Sequence, residues 1–350
     1  MIFPCSCQYF HEFKKQINMD PLHIMLAHNE KIPTPKYGGI SRVVWHLGKE
    51  LSQMGHRITF LVGKGSFCDF ARVLPLDPST PLARQIPEDV DLVHTQMPVT
   101  EPLPKPYMIT IQGNTSDDRD FDINTSFVSR DHAARYGSEV FVYNGLGLEE
   151  YGKPRFDKPR NYIHFLAKAA WQVKNLKGSM SIARSAGLPL RVLGGYRVNL
   201  KMGIRITFDP RIRFEGMVGG EQKNRLINGS LALVFPVRWN EPFGLAIMES
   251  LYFGCPVFGT PYGSLSELVT SDFGFLSNKK SELVDAIMHV EEYDRRKCHE
   301  YVCDNFNSMQ MAQKYLSLYE KVLNGETLNS KPPRLVQSDV PRYLPWHEDL

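Results

Sequence analysis

The chain has 350 residues, 42% of them apolar and 23% charged, with a formal net charge of +3. Those proportions exclude a disordered or fibrous chain, and the length favours two domains over one. No run approaches the ~18–20 consecutive apolar residues of a membrane-spanning helix.

Residues 1–20, "MIFPCSCQYFHEFKKQINMD", lack the charged start, apolar middle and small-residue cleavage site of a signal peptide. They read as an N-terminal extension, with Met19 as a candidate natural start. Strand and helix patterns then alternate. "LHIMLAH" (22–28) is a strand. In "ISRVVWHLGKELSQMG", Ile40, Val43, Val44, Leu47, Leu51 and Met54 keep helical spacing, and Gly55 stops the turn. "HRITFLVG", "DLVHTQM" and "PYMITIQG" are further strands. "TSFVS" leads into a short helix, "RDHAARYG", and "EVFVYNG" is expected as the next strand.

The charged, proline-bearing stretch "LEEYGKPRFDKPRN" (148–161) reads as an interdomain linker. The pattern then restarts with strand "YIHFLAK", helix "LKGSMSIARSAG", strands "LRVLGG" and "RIRFEGMV", helix "EQKNRLING" and strand "LALVFPV". Helices are expected over 281–290 and 308–323, and the proline-rich tail from Glu326 should be extended. Apolar strands alternating with helices predict α/β architecture, with parallel sheets covered on both faces.

Charge is divided unevenly. Residues 21–150 hold 12 Lys and Arg against 16 Asp and Glu, whereas residues 151–330 hold 24 against 17. The second half is therefore the more hospitable to an anionic ligand. The six cysteines, Cys5, Cys7, Cys68, Cys255, Cys298 and Cys303, form no CxxC pair and no zinc-like spacing, which suggests reduced thiols in a cytoplasmic protein.

Ligands of open α/β sheets bind at the carboxyl ends of strands. After the first strand, Gly38 and Gly39 stand just before a helix, where backbone N–H groups favour an anion. The loop lacks the third glycine of a dinucleotide fingerprint. In "AKAAWQVKN", Lys168 and Lys174 flank the end of a strand and could together meet a diphosphate; two solvated lysines is the plainer reading. In "SLALVFPVRWNEPFGLAIMES", a strand runs into a helix expected to begin near Phe243. The N–H groups of Phe243, Gly244 and Leu245 should lie in its first turn. Glu241 and Glu249 bracket that start with seven residues between them. Carboxylates beside an anion site suit a ligand carrying both phosphate and hydroxyls. An N-terminal helix charge and a solvated helix residue are the plain alternatives.

"EPFGLAIMES" resembles the E-x7-E motif of glycosyltransferase family 4. "YGGISRVVWHLGKELSQMGHRITFLV", "FVYNGL", the Lys168/Lys174 pair, "RVLGG", "RFEGMVGGEQKNRLINGSLALVFPVRWNEPFG" and "GCPVFGTPYGSLSELV" follow in that family's order, over roughly residues 22–323. The resemblance implies a GT-B fold, two Rossmann-like domains facing across a cleft. It divides the chain into the extension 1–20, an acceptor-side domain 21–150, a donor-binding domain 151–307, a helix 308–325 crossing back to the first domain, and the tail 326–350.

The implied activity is retaining transfer of a sugar from a nucleotide-diphosphate donor, such as a UDP- or GDP-sugar, to a hydroxyl of a carbohydrate or other acceptor. It requires no cofactor and no metal. The setting most common for such enzymes is bacterial polysaccharide or lipopolysaccharide assembly, with no nucleic-acid partner and at most peripheral membrane association.

By resemblance, Gly38 and Gly39 face the donor phosphates, and Lys168 and Lys174 stabilise the leaving diphosphate. Glu241 holds donor-sugar hydroxyls, and Phe243, Gly244 and Leu245 contact sugar or phosphate through their backbone. Glu249 grips the ribose, while Met217 and Val218 line the base pocket. The sequence departs from the family at Lys168, usually Arg, at Gln112, often His near the reacting sugar, and at Ser264, usually Gly before Glu267. His94 and Glu267 are secondary candidates. "DDRDFD" (117–122) contains metal-like D-x-D spacings but reads better as a solvated loop. A phosphorylase on the same fold and a catalytically weak sugar-nucleotide binder are the alternatives.

Overall fold

The structure, a computed structural model, describes residues 20–34, 38–115, 119–200, 205–337 and 339–348. The extension up to Met19, with Cys5 and Cys7, lies outside them, as do Asp117 and Asp118 of the acidic loop.

The first half builds a six-stranded parallel sheet from β1 (His23–Ala27), β2 (Arg57–Val62), β3 (Arg72–Pro75), β4 (Leu92–Thr95), β5 (Tyr107–Thr110) and β6 (Thr125–Ser126), in the order β3-β2-β1-β4-β5-β6. The second half repeats this plan. Its strands are β7 (Ile163–Leu166) and β8 (Leu190–Leu193), a separate two-stranded hairpin of β9 (Val198–Asn199) and β10 (Arg205–Ile206), then β11 (Ile212–Phe214), β12 (Leu233–Phe235), β13 (Val257–Gly259) and β14 (Gly274–Leu276). The second sheet runs β11-β8-β7-β12-β13-β14. In both sheets the strand order reverses beside the first strand, between β1 and β4 and between β7 and β12. A crevice opens at each such switch point.

The helices are α1 (Gly39–Gln53), α2 (Arg130–Arg135), α3 (Leu176–Ser185), α4 (Gly220–Asn228), α5 (Leu245–Tyr252), α6 (Leu265–Leu268), α7 (Lys280–Met288), α8 (Arg295–Asn305) and α9 (Ser308–Leu323). Their apolar stripes explain where they lie. Val43, Val44, Leu47 and Leu51 of α1 are buried with Leu26 and Phe60 of the first sheet. Met311, Ala312, Tyr315, Leu316, Tyr319 and Val322 of α9 join that same cluster. The C-terminal helix therefore completes the core of the first half, after an N-cap in which Asn307 Oδ1 accepts from Gln310 N at 2.8 Å. Each such fully buried side chain is worth about 1.5–3 kcal/mol. None of the helices among the described residues is long and apolar enough to cross a membrane.

Several expectations need correction. "EVFVYNG" forms only a single bridge, Phe127 with Phe141. The chain then leaves the sheet, and Leu146 N donates instead to Phe306 O at 2.8 Å. The edge strand β3 is missing from the sequence reading because it is short, lies at the sheet edge and is largely exposed, so it carries no buried alternation. The helix expected over 281–290 spans Lys280–Met288 and ends in a 3₁₀ turn, Val290–Glu292. The stretch 148–161, read as an interdomain linker, is held against the second half. Tyr151 is buried, and Arg160 donates to the carbonyls of Ser230 (2.8 Å) and Phe253 (2.8 Å).

The tail is extended and anchored at both ends. Asn329 Nδ2 donates to Ile123 O and Thr125 O, both at 2.8 Å, in the first half. Leu344 N donates to Arg238 O (2.8 Å) and Lys280 N to His347 O (3.0 Å) in the second.

Candidate active site

Side chains at the strand ends, some singled out in the sequence and some not, converge on the two switch points. Lys168 and Trp171 follow β7, and Trp239 and Glu241 follow β12. Facing them, the Gly38–Gly39 turn precedes α1, and Gln96 follows β4. Leu245 packs against both cores, and an atom at the Cβ position of Gly39 would lie 3.1 Å from Leu245 Cδ1. The glycine turn of the first half thus meets the start of α5 in van der Waals contact.

Glu241 sits in the loop before α5, only 7% exposed. Its Oε2 accepts from Lys174 Nζ at 2.5 Å and from Trp239 Nε1 at 2.7 Å. The Lys174 ammonium also stands over the Trp239 ring, 4.5 Å from its centroid. One carboxylate oxygen is thereby fixed by two donors, and Oε1 has no donor among the described residues. The backbone is held just as firmly. Ser264 N donates to Glu241 O at 2.9 Å, and Gly263, at φ +64°, lets its turn pass so close that any Cβ would collide with the Glu241 backbone.

Glu249 lies on the first-half side of α5 and is 4% exposed. Its Oε1 accepts from Arg42 Nη1 (2.7 Å), from Tyr151 OH (2.8 Å) and from Lys223 Nζ. Arg42 comes from α1 of the first half and Lys223 from α4, so three separate elements converge on one oxygen. Burial alone would raise the carboxyl pKa, but Lys223 and Arg42 hold it down at about 2. Here too, no donor among the described residues reaches Oε2. Two carboxylates eight positions apart thus share one design, with one oxygen held by a cation and further donors and the other available to hydroxyls.

Gln112 stands at the end of β5 in a chain of amides. Its Oε1 accepts from Asn144 Nδ2 at 3.0 Å, and its Nε2 donates to Gln96 Oε1 at 3.0 Å. Gln96 Nε2 lies 3.1 Å from His94 Nε2. His94 itself is fully buried, with Nδ1 2.8 Å from Tyr319 OH and Nε2 2.8 Å from Thr110 Oγ1. Burial pushes His94 down to about 3, so it is neutral at physiological pH. It positions the amide chain and carries no proton switch.

The remaining candidates divide. Met217 and Val218 lie half-buried between β11 and α4, and Val218 packs on the second core. Lys168 and Lys174 do not act as an equivalent pair. Lys168 Nζ lies over the Trp171 ring, 5.5 Å from its centroid, with no carboxylate partner among the described residues, whereas Lys174 is buried against Glu241. The helix starts at Leu245, not near Phe243, because Gly244 adopts φ +86° as its N-cap. Phe243 is instead a core residue, 2% exposed, whose carbonyl accepts from Ser264 Oγ at 2.8 Å.

Glu267 turns toward the first half. It accepts from Asp131 N (3.3 Å) and Tyr143 OH (3.2 Å), and burial raises its pKa. In the acidic loop, Asp122 accepts from Tyr107 OH (2.6 Å) and Asn124 N (2.8 Å), and Asp120 faces Arg334 at 3.9 Å. Among the described residues no group of three His, Cys, Asp or Glu could hold a metal ion.

Residues of the site that escaped the sequence reading include Arg42, Tyr151, Lys223 and Trp239, with Gln96, Asn144 and Trp171 beside them. Arg42 and Lys223 read as solvated helix charges, and no local spacing links Arg42 to a glutamate 207 positions away. Trp239 had a local signal, an indole two residues before Glu241.

Residues 155–303 match the model of the family described as Glycosyl transferases group 1. No curated protein sequence matches the chain. Among solved structures, the chain is similar to a glycosyltransferase involved in avilamycin A biosynthesis, with TM-score 0.70 and 19% identity over 88% of this chain and 99% of that one. It is also similar to sucrose-phosphate synthase from Thermosynechococcus elongatus (TM-score 0.64, 17% identity, 87% of this chain and 100% of that one). A third is Anabaena HepE in complex with UDP-glucose (TM-score 0.62, 14% identity, 86% of this chain and 100% of that one). At these identities the likeness is one of fold, and the paired six-stranded parallel sheets are those of the GT-B glycosyltransferases.

Proposed function

We propose that the protein is a retaining, nucleotide-sugar-dependent glycosyltransferase of the family 4 type, acting in the cytoplasm in glycan assembly. The observation that carries this reading is the matched pair of buried carboxylates. Glu241 has one oxygen paired with Lys174 and Glu249 one oxygen paired with Arg42 and Lys223, and they flank the start of a helix at the switch-point crevice. Hydroxyls are the natural ligands of the free oxygens, those of the donor sugar at Glu241 and those of the ribose at Glu249. Anabaena HepE, a neighbour in fold, is held with UDP-glucose, which makes a UDP-sugar the first donor to try.

In this reading the diphosphate lies between the Gly38–Gly39 turn and Lys168. Charge grows on it as the bond to the anomeric carbon breaks. Preorganised positive charge at that point lowers the barrier without a divalent cation. Lys174 holds Glu241 oriented toward the sugar. Gln112, fixed by Asn144 and Gln96, offers amide groups to the reacting sugar and takes no proton. The acceptor hydroxyl attacks from the face the phosphate leaves, and the departing phosphate takes its proton.

The test is nucleoside diphosphate release across UDP-, GDP-, ADP- and dTDP-sugars in excess EDTA, with anomeric configuration read by NMR. Turnover of one donor with retained configuration is expected. Absence of turnover with every donor, or turnover only with free phosphate and a glycoside, would overturn the proposal.

A further inference from the structure

Residues 343–348 of the tail run along the carboxyl-end crown of the second sheet. Four of its strands lie side by side in the order β7-β12-β13-β14, and the tail meets the loop after each in that same order. Tyr343 OH donates to Gln172 Oε1 at 2.6 Å, after β7. Leu344 N donates to Arg238 O at 2.8 Å, after β12. Tyr262 OH, after β13, donates to Pro345 O at 2.7 Å. His347 N donates to Asn278 O at 2.8 Å, after β14. Trp346 packs on the second core, and Ser181 Oγ donates to Glu348 Oε2 at 2.6 Å. An extended chain must satisfy its backbone groups outside itself. This one does so on the strand-end loops, where ligands of open α/β sheets bind.

The tail grips the β12 loop at the residue that matters for the site. Earlier in that loop, Pro236 O accepts from Asn175 Nδ2 (3.0 Å) and Val237 O from Thr260 Oγ1 (2.5 Å). At Arg238 the tail supplies the ties. The Arg238 carbonyl accepts from Leu344 N, its Nε donates back to Leu344 O at 2.9 Å, and its guanidinium stands 5.4 Å from the centroid of the Tyr343 ring. Toward the β7 loop, Arg238 N donates to Val173 O at 2.7 Å. Arg238 and Val173 immediately precede Trp239 and Lys174, the two donors that fix Glu241 Oε2. The Lys174–Glu241 bond therefore spans the same two loops that Tyr343 and Leu344 join from outside. We propose that residues 343–348 are a positioning element of the donor site, in which Tyr343 and Leu344 staple the loops after β7 and β12 and so set the Lys174–Glu241 geometry. The inference rests on the donor-binding role proposed for those loops. Side chains from separate loops keep a 2.5 Å contact only where the loops are held to within about 0.5 Å. Tyr343 and Leu344 act through Gln172 and Arg238, not on the substrate.

The test uses the full chain carrying Tyr343→Phe, which keeps the ring against Arg238 and removes the bond to Gln172, beside a chain that ends at Pro341. Hydrogen exchange read by mass spectrometry needs no substrate. Peptides covering 172–175 and 237–242 should exchange about threefold faster or more in both variants, with α1 and α9 unchanged. In steady-state kinetics with the donor that turns over, Tyr343→Phe should lower kcat about fivefold, as the loss of one hydrogen bond would, and truncation about tenfold or more. Donor KM should change less than about twofold. In the Lys174→Ala background, Tyr343→Phe should lower kcat no further, because the pair it positions is gone. A tail that only stabilises the domain would cost the same factor in both backgrounds. Unchanged exchange at both loops in the truncated chain, a wild-type kcat in that chain, or an equal loss in the Lys174→Ala background would each overturn the proposal. Absence of turnover by the wild type would count against the glycosyltransferase reading instead, and exchange at the two loops would then decide the positioning alone.

Discussion

The cluster at Glu249 makes a quantitative claim. Arg42 and Lys223 bring two cations to one buried carboxylate, with Tyr151 OH as the third donor. Replacing Glu249 with Gln keeps the shape and removes the only charge that compensates both cations at hydrogen-bond distance. Breaking a buried ion pair from one side costs about 3–5 kcal/mol, because the remaining charge is stranded. Lys223→Met is the contrasting perturbation. It leaves Arg42 and Glu249 as a neutral pair at 2.7 Å and replaces the ammonium with an apolar group, so it should cost much less, on the order of 1 kcal/mol. Urea denaturation at pH 7, followed by circular dichroism, gives both values. Calorimetry with UDP on each folded variant then separates stability from binding. Glu249→Gln should lose ribose affinity, whereas Lys223→Met should keep most of it. If Lys223→Met were as costly as Glu249→Gln, or Glu249→Gln were neutral, charge compensation would not be what holds Arg42 of the first half to α5.

Three further outcomes follow. Lys174→Ala strands the Glu241 carboxylate with Trp239 alone and should lower kcat by about 10² to 10³, more than it raises the donor KM; steady-state kinetics showing only a KM change would refute the role in the transition state. Trp239→Phe keeps a ring over Lys174 but removes the 2.7 Å bond to Glu241 Oε2, so kcat should fall about tenfold, with a smaller effect in the Lys174→Ala background because both act on one oxygen. Burial holds His94, His132 and His164 neutral, each pushed down to about 3. The unfolded chain protonates them near pH 6.5 and the folded chain does not, so stability should fall as the pH drops from about 6.5 toward 3, by roughly 1.4 kcal/mol per pH unit for each histidine. A melting temperature constant from pH 7 to pH 4.5 would contradict this.

The architecture was largely legible because its signals are local. The stripe of α1, the apolar strands and the span of α9 depend on spacing within a single segment, and each appears where the periodicity puts it. Segments whose fate is decided by distant partners were not. "EVFVYNG" has the composition of a strand, yet Leu146 finds its partner in Phe306, 160 positions on.

The candidate site divides along the same line. Glu241 and Glu249 stand out through a spacing within one loop and helix, whereas what clamps them does not. Tyr151 and Lys223 reach Glu249 from the 148–161 stretch and from α4, and Arg42, from α1, meets it only because two separately built sheets close on one another. This has a consequence for any substitution at the site. A glutamate read from sequence as a ligand group is also a structural counter-charge, so truncating it to Ala would confound lost binding with a loosened joint between α1 and α5. Gln at 249, paired with Met at 42 to remove one stranded cation, should restore stability toward wild type while leaving the ribose without its charged acceptor. If that double variant recovered both stability and nucleotide affinity, Glu249 would be structural only.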